Sequence, residues 1–238
     1  MKRAIVLFAL LFTPPLVARD RSPLPGRGYA NPSAVIAAEV AFAQAAQTKG
    51  QWTAFRDTAA ADAVMFEPAM VYAQQVLKDR PNPPAAVKWQ PHIVWASCDG
   101  SLMVSHGAWQ QPNSVGYFTT IWQRQNNGKY KWILDHGDRL VEALTAPEML
   151  SGFVADCPAK AERRPPVLKP VKLRKGQLPP LDPARRTGQS DDGSLIWEVT
   201  VDPSGARNLS VSWRKEGAMQ PMLIESVDAP PPAPSATG

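Results

Sequence analysis

The chain has 238 residues, 44% of them hydrophobic and 20% charged, which is the balance of a globular protein of one or two domains and not of an intrinsically disordered one. Its net charge of +5 is misleading, because nine Lys or Arg stand against only Glu162 and Asp182 between residues 158 and 190. The rest of the chain carries slightly more acid than base.

Residues 1–18 have the layout of a secretory signal peptide. Lys2 and Arg3 precede a short apolar run, Ala4 to Phe12, and a helix-breaking stretch ends at Ala18. The run is far below the ~20 residues that span a bilayer, so cleavage near Ala18 and a periplasmic or secreted protein are expected. An exported chain gives nucleic acid no role, and it favours a bridge between its two cysteines, Cys98 and Cys157.

A first domain is expected over 30–157. Asn31 caps a helix with Pro32 at its first position and Gly50 as its stop. Val35, Ala38, Phe42 and Ala45 form its apolar stripe. A second helix places Trp52, Phe55 and Ala59 on one face and runs into a strand over 63–66. A short third helix follows in "VYAQQVLKD". Four strands come next: "VKWQPHIVWAS", "LMVSHGAW", "VGYFTTIWQRQ" and "KYKWILDH". Asn126-Asn127-Gly128 joins the last two as a hairpin turn. Helices followed by a strand meander read as α+β, with helices on one face of a mainly antiparallel sheet.

Residues 158–190 read as a basic, proline-rich linker. The 25 prolines of the chain are about twice the usual share. A small β unit is expected over 191–228, with Leu195, Trp197 and Val199 on one face and Leu209, Val211 and Trp213 on another. It should dock on the main domain, since a lone hairpin is marginal in water. Residues 229–238 read as a disordered tail, and no internal repeat stands out.

The chemistry-bearing residues gather near the end of the fourth strand. His136 lies between Asp135 and Asp138, and a carboxylate can fix the tautomer of a histidine that titrates near neutral pH. Strand alternation puts Asp135 and His136 on opposite faces, His136 with Leu134 and Trp132, Asp135 with Ile133. These three are the catalytic candidates; hydrogen bonding to turn backbone is the plainer role for the two aspartates. Trp89, His106, Tyr117, Trp122 and Trp132 are the ligand-binding candidates, because a curved sheet would present several of them to a cavity. Core packing is the alternative for each. His92, His106 and His136 have no metal-ligand spacing, so neither metal nor cofactor is expected. There is no G-x-S-x-G elbow, phosphate-binding glycine loop or H-E-x-x-H.

"AEVAFAQAAQTKGQWTAFRDTAAADAVMFEP", "LKDRPNPPAAVKWQP", "CDGSLMVSHGAW" and "GYFTTIWQRQNNGKYKWILDHGD" together resemble the nuclear-transport-factor-2-like superfamily, which includes SnoaL-like and ketosteroid-isomerase-like proteins. The likeness extends to a branch of unknown function found in exported bacterial proteins and covers about residues 33–139. It implies a cone-shaped barrel: a strongly bent sheet wrapped around the N-terminal helices, with a pocket at the open end. Members include enzymes and non-catalytic binders, so fold does not fix function. Two functions stay open: binding of a small apolar or aromatic molecule, or acid–base chemistry on such a molecule. Residues 160–186 are a candidate contact for an anionic envelope surface, and a second copy of the chain is a further candidate partner.

Overall fold

The structure is a computed structural model that describes residues 30–159 and 177–231. The signal segment, the tail from 232 and residues 160–176 of the basic stretch lie outside the described residues. The elements are α1 (Pro32–Lys49), α2 (Gln51–Thr58), β1 (Ala59–Glu67), β2 (Ala69–Tyr72), α3 (Ala73–Val76), β3 (Lys88–Ala96), β4 (Leu102–Gln111), β5 (Ser114–Arg124), β6 (Tyr130–Leu140), β7 (Ser151–Val154), β8 (Arg185–Gln189), β9 (Leu195–Val201), β10 (Arg207–Lys215) and β11 (Ala218–Val227).

α1 starts as the sequence predicts. Pro32 sits in the first turn, and the Asn31 side chain accepts a hydrogen bond from the Ser33 amide at 3.1 Å. Its buried face is Val35, Glu39, Phe42 and Ala46. The expected stripe is thus rotated: Ala38 and Ala45 flank it, and a carboxylate occupies its centre. α2 runs directly into β1, which is longer than predicted because Ala59 to Asp62 also extend.

The seven strands of the first sheet lie in the order β2-β1-β6-β5-β4-β3-β7. The predicted meander β3–β6 forms its antiparallel centre. Two parallel pairings frame it, β1 on β6 and β7 on β3. The α+β class with helices on a curved, mainly antiparallel sheet therefore holds. The sheet is open instead of a closed cone-shaped barrel, with β2 and β7 at its edges. Glycines permit its bend: a Cβ at Gly107 or Gly137 would strike the backbone of the neighbouring strand, and both flank Phe118 in the ladder.

The second sheet is an antiparallel meander, β11-β10-β9-β8. It begins earlier than the sequence suggests. β8 lies inside the stretch read as linker, where Arg186 and Gly188 pair with Val199 and Trp197. Leu195, Trp197, Val199, Leu209 and Val211 are buried in the same cluster as the first sheet, so the unit docks as predicted. Helices α1 and α2 thus cover one face of the large sheet, and the small sheet covers the other.

Cys98 and Cys157 form the expected bridge. It ties the chain after β7 to the β3–β4 turn and suits an oxidising compartment. Among the described residues, no helix is long and apolar enough to cross a membrane.

Candidate functional site

A cavity of about 380 Å3 opens between the helices and the end of the large sheet. Its helical wall is Phe42, Gln51, Trp52 and Phe55, and its sheet wall includes Trp89, Trp109, Phe118, Thr120 and Asp135. Beyond these it reaches Phe66, Tyr117, Gly137 and Arg207. The ladder explains that reach. β1 and β6 are registered only at Ala59–Trp132 and Val64–Leu134, so past Leu134 the β6 backbone is free of β1. The aromatic rings hold one another edge to face: Phe42 meets Phe55 and Trp89 at 4.8 Å, and Phe55 meets Trp132 at 6.0 Å.

Asp135 points into this cavity. Thr120, its cross-strand partner, donates to Asp135 Oδ2 at 3.0 Å. Burial pushes the carboxyl up to about 7; the Thr120 bond lowers it and the nearby Glu39 raises it further. Glu39 itself is fully buried on α1. It accepts from Trp89 Nε1 at 2.8 Å, Trp122 Nε1 at 3.0 Å and Ser105 Oγ at 2.6 Å. Burial raises it above the ordinary carboxylate range, although these three bonds pull the other way.

His136 stands on the opposite face, as alternation predicts. Its ring meets the second sheet: Nδ1 lies 3.0 Å from Glu225 Oε2, and the side chain has no exposure. His106 Nδ1 lies 3.1 Å from Glu225 Oε1, and Thr119 donates to the same oxygen at 2.7 Å. Burial would raise the Glu225 carboxyl, but the bonds from His106, His136 and Thr119 outweigh it and hold it at about 2. His106 and His136 therefore seal the two sheets together. Asp138 Oδ1 accepts from the Arg139 amide, a local backbone contact.

Trp132 is on the Asp135 side, not with His136. Trp122 pairs with Trp132 and Ile121 with Leu134, so Ile133 is an extra residue that reverses the alternation. Trp132 Nε1 consequently reaches α2, donating to Thr58 Oγ1 at 3.0 Å. Trp122 and Trp132 are buried behind the cavity, whereas Trp89 and Tyr117 line it. Of the catalytic candidates, Asp135 and His136 both line the cavity, His136 with its ring nitrogen Nδ1 held by Glu225, and Asp138 does not.

Sequence reasoning missed Glu39, Trp109, Thr120 and Arg207. A lone acid inside an apolar helical stripe was the available signal for Glu39. Arg207 had none, since it reaches the cavity from the other sheet.

Among the described residues no cluster of three or more His, Cys, Asp or Glu could hold a metal. Helices on one face of a curved sheet, with a half-open aromatic cavity holding one carboxyl, define an α+β protein with an internal ligand-sized hollow. No protein-family model matches the chain and no curated protein matches it. Among solved structures it is similar to an NTF-2 like protein of unknown function from Burkholderia xenovorans LB400, at 16% identity, covering 49% of this chain and 91% of that chain, with a TM-score of 0.32.

Proposed function

We propose that this is an exported small-molecule-binding protein of the nuclear-transport-factor-2-like type, and that its cavity takes a small apolar or aromatic molecule. The cavity carries the reading: its volume is at the small end of ligand pockets, which run about 300–1,000 Å3, and its walls are aromatic with few polar groups. The N-terminal signal pattern and the disulfide support export. Titration with a panel of small aromatic compounds, followed by tryptophan emission, tests it. Trp109→Ala should weaken any binding found by about tenfold, since that ring lies on the cavity wall. A panel that leaves emission and thermal midpoint unmoved removes the reading.

A second reading is proton transfer by Asp135. A carboxyl near 7 in a partly closed cavity is poised to exchange a proton at neutral pH. Enolisable ketones, esters and epoxides are the substrates to screen. Asp135→Asn should abolish any turnover while leaving binding in place.

A further inference from the structure

Among the described residues Arg207 is the one guanidinium that lines the cavity, and it comes from β10 of the small sheet. Two contacts fix it. Nη2 donates to Gly137 O at 2.7 Å, on the part of β6 that β1 leaves free. The guanidinium lies 4.9 Å over the Phe66 ring. Its Nε is buried with no hydrogen-bond partner among the described residues. No carboxylate among the described residues lies within ion-pair distance of it: Glu225 is taken by His106, His136 and Thr119, and Asp138 is near enough to act on its charge without reaching it. A buried donor without a partner is costly, and a guanidinium presents its donors as a fork that matches a carboxylate.

We propose that the cavity binds an amphipathic carboxylic acid, its ring or apolar body between Phe42, Phe55 and Trp109 and its carboxylate on Arg207. This rests on the binding reading above and adds the chemical class of ligand. Tyr117, on the same wall, offers the phenol as a second donor to the anion. The small sheet is then part of the binding site. The acid sits away from the Asp135 carboxyl: on one strand face, residues two apart are about 6–7 Å apart, so Asp135 and the Gly137 carbonyl that holds Arg207 are separate positions along the cavity.

The test uses a matched pair of probes, 2-naphthylacetate and its neutral amide, titrated by calorimetry into the whole mature chain. The acid should bind at least about tenfold tighter than the amide, and added salt should weaken only the acid. Arg207→Gln should bring the acid down to no more than the affinity of the amide and remove the salt dependence of its binding. Equal or tighter binding of the amide to the unaltered chain overturns the proposal and spares the binding reading. Binding of neither probe overturns both. Because the acid–amide comparison is made on the unaltered protein, it stands even if Arg207→Gln fails to fold.

Discussion

Asp135 leaves a signature in the pH dependence of stability. Folded, it releases its proton at about 7; unfolded, near the ordinary 3.8. Between those values the native state holds the extra proton, so stability falls as pH rises from about 4 to about 7 and is level above. Glu225 works the other way. Held at about 2 instead of 4.5, its contribution is complete above 4.5 and is lost as pH falls towards 2. Together they place the stability maximum near pH 4.5, readable as the highest urea midpoint in a pH series. Asp135→Asn should flatten the decline above that pH and raise stability at pH 7.5 by about 1–3 kcal/mol. An unchanged slope would assign the decline elsewhere. Glu39→Ala is expected to cost about 2 kcal/mol or more, because it leaves the Trp89 N–H without an acceptor and removes one of the two bonds of the Trp122 N–H and of the Ser105 hydroxyl; equilibrium unfolding measures it. At this scale the sequence was partly legible. Alternation separated Asp135 from His136 correctly, but the extra residue Ile133 moved Trp132 to the face where alternation did not put it. The partners of His136 and Asp135 could not be read, since Glu225 and Glu39 lie about 90 and 100 positions away along the chain.

The two sheets are joined by a pair of like turns, Ser97-Cys98-Asp99-Gly100-Ser101-Leu102 and Ser190-Asp191-Asp192-Gly193-Ser194-Leu195. In each, the aspartate Oδ1 accepts from the first serine hydroxyl and from the amide and hydroxyl of the second. Each Oδ2 then crosses to the other turn: the Asp99 amide donates to Asp192 at 3.0 Å, and the Asp192 amide donates to Asp99 at 3.1 Å. The second serines cross as well, Ser194 Oγ to the Cys98 amide and Ser101 Oγ to the Asp191 amide. This short internal repeat passed unnoticed in the sequence because a six-residue turn has no periodicity of its own. Asp99→Ala and Asp192→Ala should each cost about 2–3 kcal/mol, and the double variant clearly less than their sum, since each removes one of two reciprocal bonds and loosens the turn that makes the other. A strictly additive cycle would deny the coupling. The bridge at Cys98 anchors the same corner. Its sequence separation of 59 makes reduction cost about 4 kcal/mol, which a reductant-dependent shift in urea midpoint would show.

Taken as one body, the molecule stacks helices, large sheet and small sheet around a shared apolar cluster running from Val35 to Val211. Tryptophans sit in both sheets, Trp122 and Trp132 in one and Trp197 in the other. Intrinsic fluorescence and far-ultraviolet circular dichroism should therefore report a single coincident unfolding transition. Two separated transitions would mean the sheets fold independently. The central meander was legible because its strands are neighbours in sequence and their turns carry glycine at positive φ, 78° at Gly128 and 65° at Gly100. The parallel pairs β1–β6 and β3–β7 were not legible, because nothing local distinguishes a strand that pairs with a distant one. β8 was hidden for a related reason: its arginines made it look like linker, yet Arg186 binds Asp62 at 3.0 Å and Arg185 binds Glu198.

Arg207 lies seventy residues after the β6 carbonyl that it grips. In a chain exported from its N-terminus, the helices and the large sheet would emerge well ahead of it. For that interval the hollow has aromatic sides and no cation, and a nascent chain interrupted before β10 would carry a gap where the arginine belongs. Competence to hold an acid would then arrive only when β10 docks on the large sheet.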